Sequence, residues 1–382
     1  MIDRYVLRDN AHGRSERLPA WGPKRSQART ATRLKATTQV ATAGETTMKA
    51  TAQNRIENAS NALTRLALLA MMCLCAGLIA TPALAHTADA EEYVSTEYQQ
   101  DRPVVEVPFE YRNKQLFVHV EAAGRANLSF LLDTGSTDCV VDSNLQLPGS
   151  RRGQLMVRES TGIVTATNLC LDHIRLQGND GSLDLRNGRA LEMDMSHLSQ
   201  ALRRKVDGIL GMSFVEGYVI DIDYRRGMLL FRNGDAEAPA PADQTGHRSI
   251  QLEMQRPGRG VSSTTLLVTG KLGNGEEYNF LLDTGFGGFL SIAEPAARRT
   301  GLLTDADVQN ATPSYTLSGE FRSAAVRGTG VTLGEVSLSD QTVTVDLHGD
   351  MTDRPGQVGN GFLEQYLVRL DCGHRKLWLT PQ

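Results

Sequence analysis

Two aspartates stand in the same local setting, 150 residues apart. Asp133-Thr134-Gly135 follows Phe130-Leu131-Leu132, and Asp283-Thr284-Gly285 follows Phe280-Leu281-Leu282. A short, continuously apolar run reads as a strand buried on both faces. Each aspartate then sits at a strand exit, where the glycine lets the backbone turn sharply and approach a neighbour closely. Two carboxyl groups brought within about 3 Å cannot both ionise, so they share one proton. Such a pair can hold a water. The ionised member takes a proton from the water as it attacks a carbonyl, and the protonated member donates to the developing oxyanion. The titration belongs to the pair rather than to either residue.

A second element repeats in the same order, which places the two aspartates in copies of one unit. Gly211-Met212-Ser213-Phe214, with Tyr218 and Asp223 beyond it, recurs at an offset of 148 as Gly359-Asn360-Gly361-Phe362, with Tyr366 and Asp371. Two separated motifs that keep nearly the same frame mean a duplication. Residues 235–247, rich in Pro, Ala and acid, read as the linker between lobes 101–234 and 248–382. Within the lobes strand signals dominate. Residues 104–111 and 116–121 alternate around Arg112-Asn113-Lys114 as a hairpin would, and residues 263–271 and 277–282 do so around Leu272-Gly273-Asn274-Gly275. Helix signals are few: Ser196 as the cap of a short helix reaching Ala201, and residues 293–300, with Pro295 near the start and Gly301 just past the end. An all-β chain with small helices is expected.

The run Leu131-Leu132-Asp133-Thr134-Gly135-Ser136-Thr137, followed by Asp207-Gly208-Ile209-Leu210-Gly211, resembles the aspartic proteases of the pepsin and retropepsin clan, in particular their bacterial, exported members. The resemblance covers nearly all of residues 104–380. It implies an all-β, two-lobed acid-protease fold with pseudo-two-fold symmetry and a few short helices. It makes Asp133 and Asp283 the catalytic pair of an aspartic endopeptidase. It further implies that Thr134 and Thr284 hydrogen-bond across the lobe interface, with Gly135, Ser136 and Gly285 supporting the two loops. Ile209-Leu210-Gly211 would pack behind the first loop. Substrate flaps are expected at Ser160, Thr161 and Gly162 in the first lobe and at Ser318 and Gly319 in the second. No cofactor and no metal is implied, and the partner is a peptide or protein substrate. The sequence departs from the family in three places. Phe286 stands where a hydroxyl beside the second aspartate is expected, Gln357-Val358 replaces two apolar residues, and no flap tyrosine is evident. A catalytically weak or inactive peptide-binding or envelope-assembly protein of the same fold is therefore the alternative.

Other constellations carry less. His173, His197, His348 and His374 are scattered without His-x-x-x-His spacing, so no metal site is read. Ser136 has no histidine at a telling spacing, and Arg256-Pro257-Gly258-Arg259-Gly260 lacks the Lys-Ser/Thr of a phosphate loop. Asp221, Asp223 and Asp371 read as strand and turn carboxylates. The net charge of −4 over 382 residues is an average over unlike parts. Residues 1–65 carry 12 basic and 5 acidic side chains, residues 66–85 none, and the remainder 28 basic and 39 acidic. So acidic a body argues against a nucleic-acid partner. The apolar run 66–80, flanked by Arg65 and followed by Thr81-Pro82-Ala83-Leu84-Ala85, reads as a secretory signal cleaved after Ala85, with a retained anchor as the other option. A membrane span needs about 20 apolar residues, more than this run offers. Translation from Met48 would give an ordinary leader, making residues 1–47 a start-site overshoot. A periplasmic or secreted protein is expected, and a monomer, since one chain carries both aspartates. Cys139 with Cys170 is the favoured disulfide among three open pairings that include Cys372, and three unpaired buried thiols are an equally ordinary reading.

Overall fold

The computed structural model describes residues 3–5, 97–159, 162–235, 238–241, 249–255, 265–315, 319–328, 330–338, 341–347 and 356–382. All of them belong to one compact unit of the chain. Apart from 3–5, residues 1–85, read as a leader with its overshoot, lie outside the described residues, as do most of the expected linker 235–247, Arg256–Gly260 and the expected flap residues Ser160, Thr161 and Ser318.

The two apolar runs end strands, as expected. Arg125–Leu132 lies between Gln115–Ala122, antiparallel, and Gly208–Leu210, parallel. Its copy Glu277–Leu282 lies between Leu267–Lys271, antiparallel, and Gly356–Val358, parallel. Phe130 and Leu132 pack into one core cluster and Leu131 into another, and Phe280, Leu281 and Leu282 are all buried as well, so both faces of each run are covered and neither alternates with polar residues. The short parallel partner also fixes the loop that follows. The N–H of Asp133 donates to the Leu210 carbonyl (3.1 Å), and that of Asp283 to the Val358 carbonyl (2.9 Å). Backbone groups make this contact, so Gln357-Val358 does in the second half what Ile209-Leu210 does in the first.

Among the described residues the strands form one sheet of ten, built mainly from the first half, and one of fifteen that runs through both halves. In the larger sheet six antiparallel strands join the halves, in the order Ile250–Gln255, Lys376–Pro381, Tyr366–Asp371, Tyr218–Asp223, Met228–Asn233 and Val104–Pro108. The middle pair, Tyr218–Asp223 with Tyr366–Asp371, consists of duplicated copies of each other, so a pseudo-two-fold axis runs between them. The Gly-x-x-Phe elements fold as one-turn helices, Met212–Val215 and Asn360–Leu363, which bury Phe214 and Phe362 against this junction. The molecule is all-β with a few short helices.

Several local readings change. Residues 104–111 are not one strand of a hairpin. Val104–Pro108 pairs with Met228–Asn233 in the six-stranded junction, and only Glu110–Arg112 turns back on Gln115–Ala122. Pro108 has no N–H to offer a ladder, and the strand ends there. The turn itself is as read, with Asn113 and Lys114 both at positive φ, 52° and 62°, the geometry that matches strand twist. Ser196 does not cap its helix. It is the first helical residue of Ser196–Ala201, and its N–H is held by the Asp194 carboxylate at 2.9 Å. Glu294–Arg299 forms as expected, with Pro295 in the first turn and Gly301 at φ 71°.

The favoured disulfide is absent: Cys139, Cys170 and Cys372 are free thiols. Strand Ser182–Met193 lies between Cys139 and Cys170, pairing Ala190 with Cys139 on one side and Arg189 with Cys170 on the other. Two strand spacings, about 9.6 Å, exceed the Cα separation a disulfide spans.

Asp221 proves to be a buried structural carboxylate. It faces Arg369 across the middle pair and takes a bidentate bond from it (2.5 and 2.7 Å), with Arg232 adding a third at 2.9 Å. Arg369 also reaches the Pro239 carbonyl (2.6 Å), and Asp371 accepts from the Ala238 N–H (3.0 Å), so described linker residues are pinned to the junction. Replacing one partner of a buried pair strands the other. Arg369→Leu is expected to lower stability by about 2–4 kcal/mol in denaturant unfolding, whereas Lys271→Ala, at an exposed ion pair, should change it by less than about 1 kcal/mol.

Candidate active site

The two Asp-Thr-Gly loops meet at the pseudo-two-fold axis and lock each other by reciprocal hydrogen bonds. The Thr134 N–H donates to the Thr284 hydroxyl (3.0 Å), and the Thr284 N–H donates to the Thr134 hydroxyl (3.1 Å). Each hydroxyl in turn donates to a carbonyl of the opposite half, Thr134 to Leu282 (2.8 Å) and Thr284 to Leu132 (2.9 Å). Both threonines are almost fully buried, so these four bonds work without competition from water. Only a β-hydroxyl that both accepts and donates completes the set.

The glycines then let the carboxyl groups face each other. A Cβ on Gly135 would stand 2.6 Å from the carboxyl carbon of Asp283, and one on Gly285 would run into that of Asp133. No residue with a side chain fits at either place. Asp133 and Asp283 are 7% and 5% exposed. Asp133 Oδ1 accepts the N–H groups of Gly135 (2.8 Å) and Ser136 (3.2 Å), whereas among the described residues Asp283 Oδ1 accepts the N–H of Gly285 alone (2.8 Å). Burial, followed by the charge of Asp133 beside it, pushes the Asp283 carboxyl up to about 8. Asp133 has the better set of backbone donors for a negative charge.

Ser136 is present but acts differently from what the resemblance implied. Its hydroxyl donates to the Asp138 carbonyl (2.8 Å), and its backbone N–H, not the hydroxyl, reaches the aspartate. The hydroxyl missing at Phe286 therefore removes nothing that the first loop has. Phe286 keeps the same backbone turn, with its N–H on the Asp283 carbonyl (3.3 Å) as the Ser136 N–H is on that of Asp133 (3.2 Å). Its ring lies over Gly288 and Gly359, where a Cβ would meet it.

Gly162 and Gly319 both lie beside hairpin tips. Ser150–Glu159 pairs with Gly162–Gln177 up to Glu159 opposite Gly162, and Thr312–Tyr315 pairs with Glu320–Arg327. Neither glycine is among the described contacts of the two aspartates. The first hairpin carries Met156 and Ile163, 42% and 59% exposed, near its end. Its outer edge pairs antiparallel with the short strand Asp3–Tyr5.

One buried residue beside the dyad escaped the sequence reading. Asn360 is fully buried, donating to the carbonyls of Thr284 (2.6 Å) and Lys114 (2.8 Å) and accepting from the Tyr224 hydroxyl (2.8 Å). The signal lay in the duplication. Asn360 occupies the place of Met212 in the first copy, and a polar residue where the copy is apolar calls for a partner.

No protein-family model matches the chain. No curated protein sequence matches it. Among solved structures the chain is similar to the crystal structure of aspartic proteinase from Irpex lacteus, at 14% identity and a TM-score of 0.46. The match covers 73% of this chain and 97% of that one. Among the described residues no group of three or more His, Cys, Asp or Glu side chains could hold a metal ion, and no helix is long and apolar enough to cross a membrane.

Two outcomes follow from this geometry. Thr284→Val keeps the shape but leaves the buried Thr134 N–H and Leu132 carbonyl without partners, so unfolding should show a loss of about 2–4 kcal/mol, with Thr284→Ser recovering most of it. The second concerns pH. A carboxyl raised in the folded state contributes stability that is fully present below its unfolded value, about 4, and is lost as pH rises toward about 8. Melting temperature should fall across that window in the wild type, and Asp283→Asn should flatten the fall.

Proposed function

We propose that the chain is an aspartic endopeptidase. The observation that carries this reading is the pair of buried carboxyl groups facing each other across a two-fold junction, each at the exit of a copied strand and each fixed by the opposite loop. A water held between the carboxyls is the nucleophile. As it attacks the peptide carbonyl carbon, ionised Asp133 takes its proton and protonated Asp283 donates to the carbonyl oxygen. The tetrahedral intermediate then collapses. The C–N bond breaks, the nitrogen leaves with the proton that Asp133 took from the water, and Asp283 takes back a proton from a hydroxyl of the intermediate as the C=O re-forms, so the pair returns to one shared proton. Water supplies both the hydroxyl and the hydrogen of the products, so nothing else is consumed.

The substrate in this proposal is an extended peptide lying against the flap hairpin and adding backbone hydrogen bonds to it. The pairing of Asp3–Tyr5 with the outer edge of that hairpin supports this, since an extended segment adds to the strand there. The exposed Met156 and Ile163 would give that face an apolar preference. Export to the periplasm or beyond is proposed from the leader-like residues 66–85, and a monomer from the presence of both aspartates in one chain.

Purified protein lacking residues 1–85 is expected to cleave members of a peptide library between roughly pH 3 and 8, with turnover falling as pH rises through about 8 and the shared proton is lost. Asp133→Asn and Asp283→Asn should each lower kcat at least about 1000-fold, because each carboxyl acts in the same step. A folded wild type that binds library peptides but cleaves none across that range would replace the hydrolase with a peptide-binding protein.

A further inference from the structure

The dyad loops are not held alike. In the first loop two backbone N–H groups reach Asp133. In the second, among the described residues, only the Gly285 N–H reaches Asp283 Oδ1, and the support comes instead from two side-chain amides with no equivalent among the described residues of the other half. Asn360 Nδ2 donates to the Thr284 carbonyl (2.6 Å), and Gln115 Nε2 donates to the Gly285 carbonyl (3.0 Å). These are consecutive peptides of the loop. The Thr284 carbonyl and the Gly285 N–H share one peptide plane, so a donor on that carbonyl fixes the N–H that holds Asp283 Oδ1 (2.8 Å) and polarises it toward stronger donation.

The duplication singles out both amides. In frame with Gln115-Leu116-Phe117-Val118 the second half reads Thr265-Leu266-Leu267-Val268, and in frame with Asn360 the first half reads Met212. The buried Thr265 hydroxyl has no partner among the described residues, and Met212 has no donor to give. Gln115 itself is 7% exposed, and its Oε1 is buried with no partner among the described residues. A leucine would avoid that desolvation, so stability alone does not account for glutamine here. The surrounding contacts press the same turn onto the loop. Gly287 lies against Asn113, Lys114 and Gln115, where a Cβ would stand 3.2 Å from each. Asn360 ties the Lys114 carbonyl to the loop (2.8 Å), Lys114 pairs with Glu364, and Tyr111 donates to Glu364 at 2.7 Å.

We propose that Gln115 and Asn360 are positioning residues that clamp the second catalytic loop to the hairpin of the first half: Asn360 fixes the peptide whose Gly285 N–H holds Asp283 Oδ1, and Gln115 fixes the next peptide, whose Phe286 N–H closes the turn on the Asp283 carbonyl. The charged and titratable groups around the clamp are Asp133 across the axis, the Lys114–Glu364 pair, Tyr111 and Tyr224, and none of them is altered by changing Gln115. A donor bonded to the ionised carboxyl favours ionisation. Loosening the clamp therefore moves the loss of the shared proton to higher pH.

The test compares Gln115→Leu and Asn360→Leu with wild type by kcat, KM, pH profile and melting temperature between about pH 4 and 9. The turnover readout rests on the endopeptidase reading; the melting readout does not. For Gln115→Leu the expectation is kcat lowered about 10–100-fold, KM within about twofold because the loop and not the flap is disturbed, a melting temperature changed little because the half-buried Gly285 carbonyl loses its donor while the unpartnered Oε1 is removed, and both the basic limb of kcat and the upper end of the stability fall displaced to higher pH. Asn360→Leu should do the same more strongly. If it fails to fold because it strands three buried groups, Gln115→Leu decides alone. Turnover within twofold of wild type, or a loss matched by loss of folded protein with the basic limb unmoved, would overturn the clamp while leaving the hydrolase standing. If wild type does not cleave at all, the hydrolase fails separately, and an unmoved stability fall in Gln115→Leu would then overturn the clamp.

Discussion

Two carboxyl groups buried face to face repel each other once both are ionised, and neither can retreat into solvent. Asp133 and Asp283 stay together because their backbones have nowhere else to go. The reciprocal bonds of Thr134 and Thr284 tie each loop to the strand end of the other. The parallel partners behind them accept both aspartate N–H groups. The raised titration of Asp283 follows first from its burial and then from the charge of Asp133 beside it.

The six-stranded junction explains how so short a contact keeps its geometry. Its middle strands come from the two copies, and the Asp221–Arg369–Arg232 cluster crosses between them in the buried layer. Described linker residues are bonded into the same layer through Pro239 and Ala238. The one-turn helices Met212–Val215 and Asn360–Leu363 follow directly on the parallel strands behind each loop and bury Phe214 and Phe362. Duplication supplies the symmetry, and the amides on one side break it.

Different parts of this arrangement were legible in the sequence to different degrees. Asp133, Thr134, Gly135 and their copies stood out because each requirement is local: a buried strand, a carboxylate at its exit and a residue without a side chain at the close approach. The copied Gly-x-x-Phe elements were legible for the same reason, since a repeated frame survives without knowledge of contacts. Asn360 and Gln115 were not singled out, because their partners lie 76 and 170 residues away and an amide in a strand or helix has no local signature. The strand break at Pro108 was missed because alternation says that a segment is extended but not which sheet it joins.

The sequence by itself determined the duplication, the strand-dominated class and the identity of the two facing aspartates, since these depend on residue type and spacing along the chain. Only the tertiary structure decided which groups hold them. It turned the Ser136 hydroxyl toward Asp138 and left its N–H for the carboxylate. It separated Cys139 from Cys170 by a whole strand, and it gave the second loop side-chain donors in place of a second backbone one. The physical reason is common to all three. Hydrogen bonds and disulfides require atoms within a few ångströms, and which atoms come that close is settled by strand order and register, which distant parts of the chain fix together.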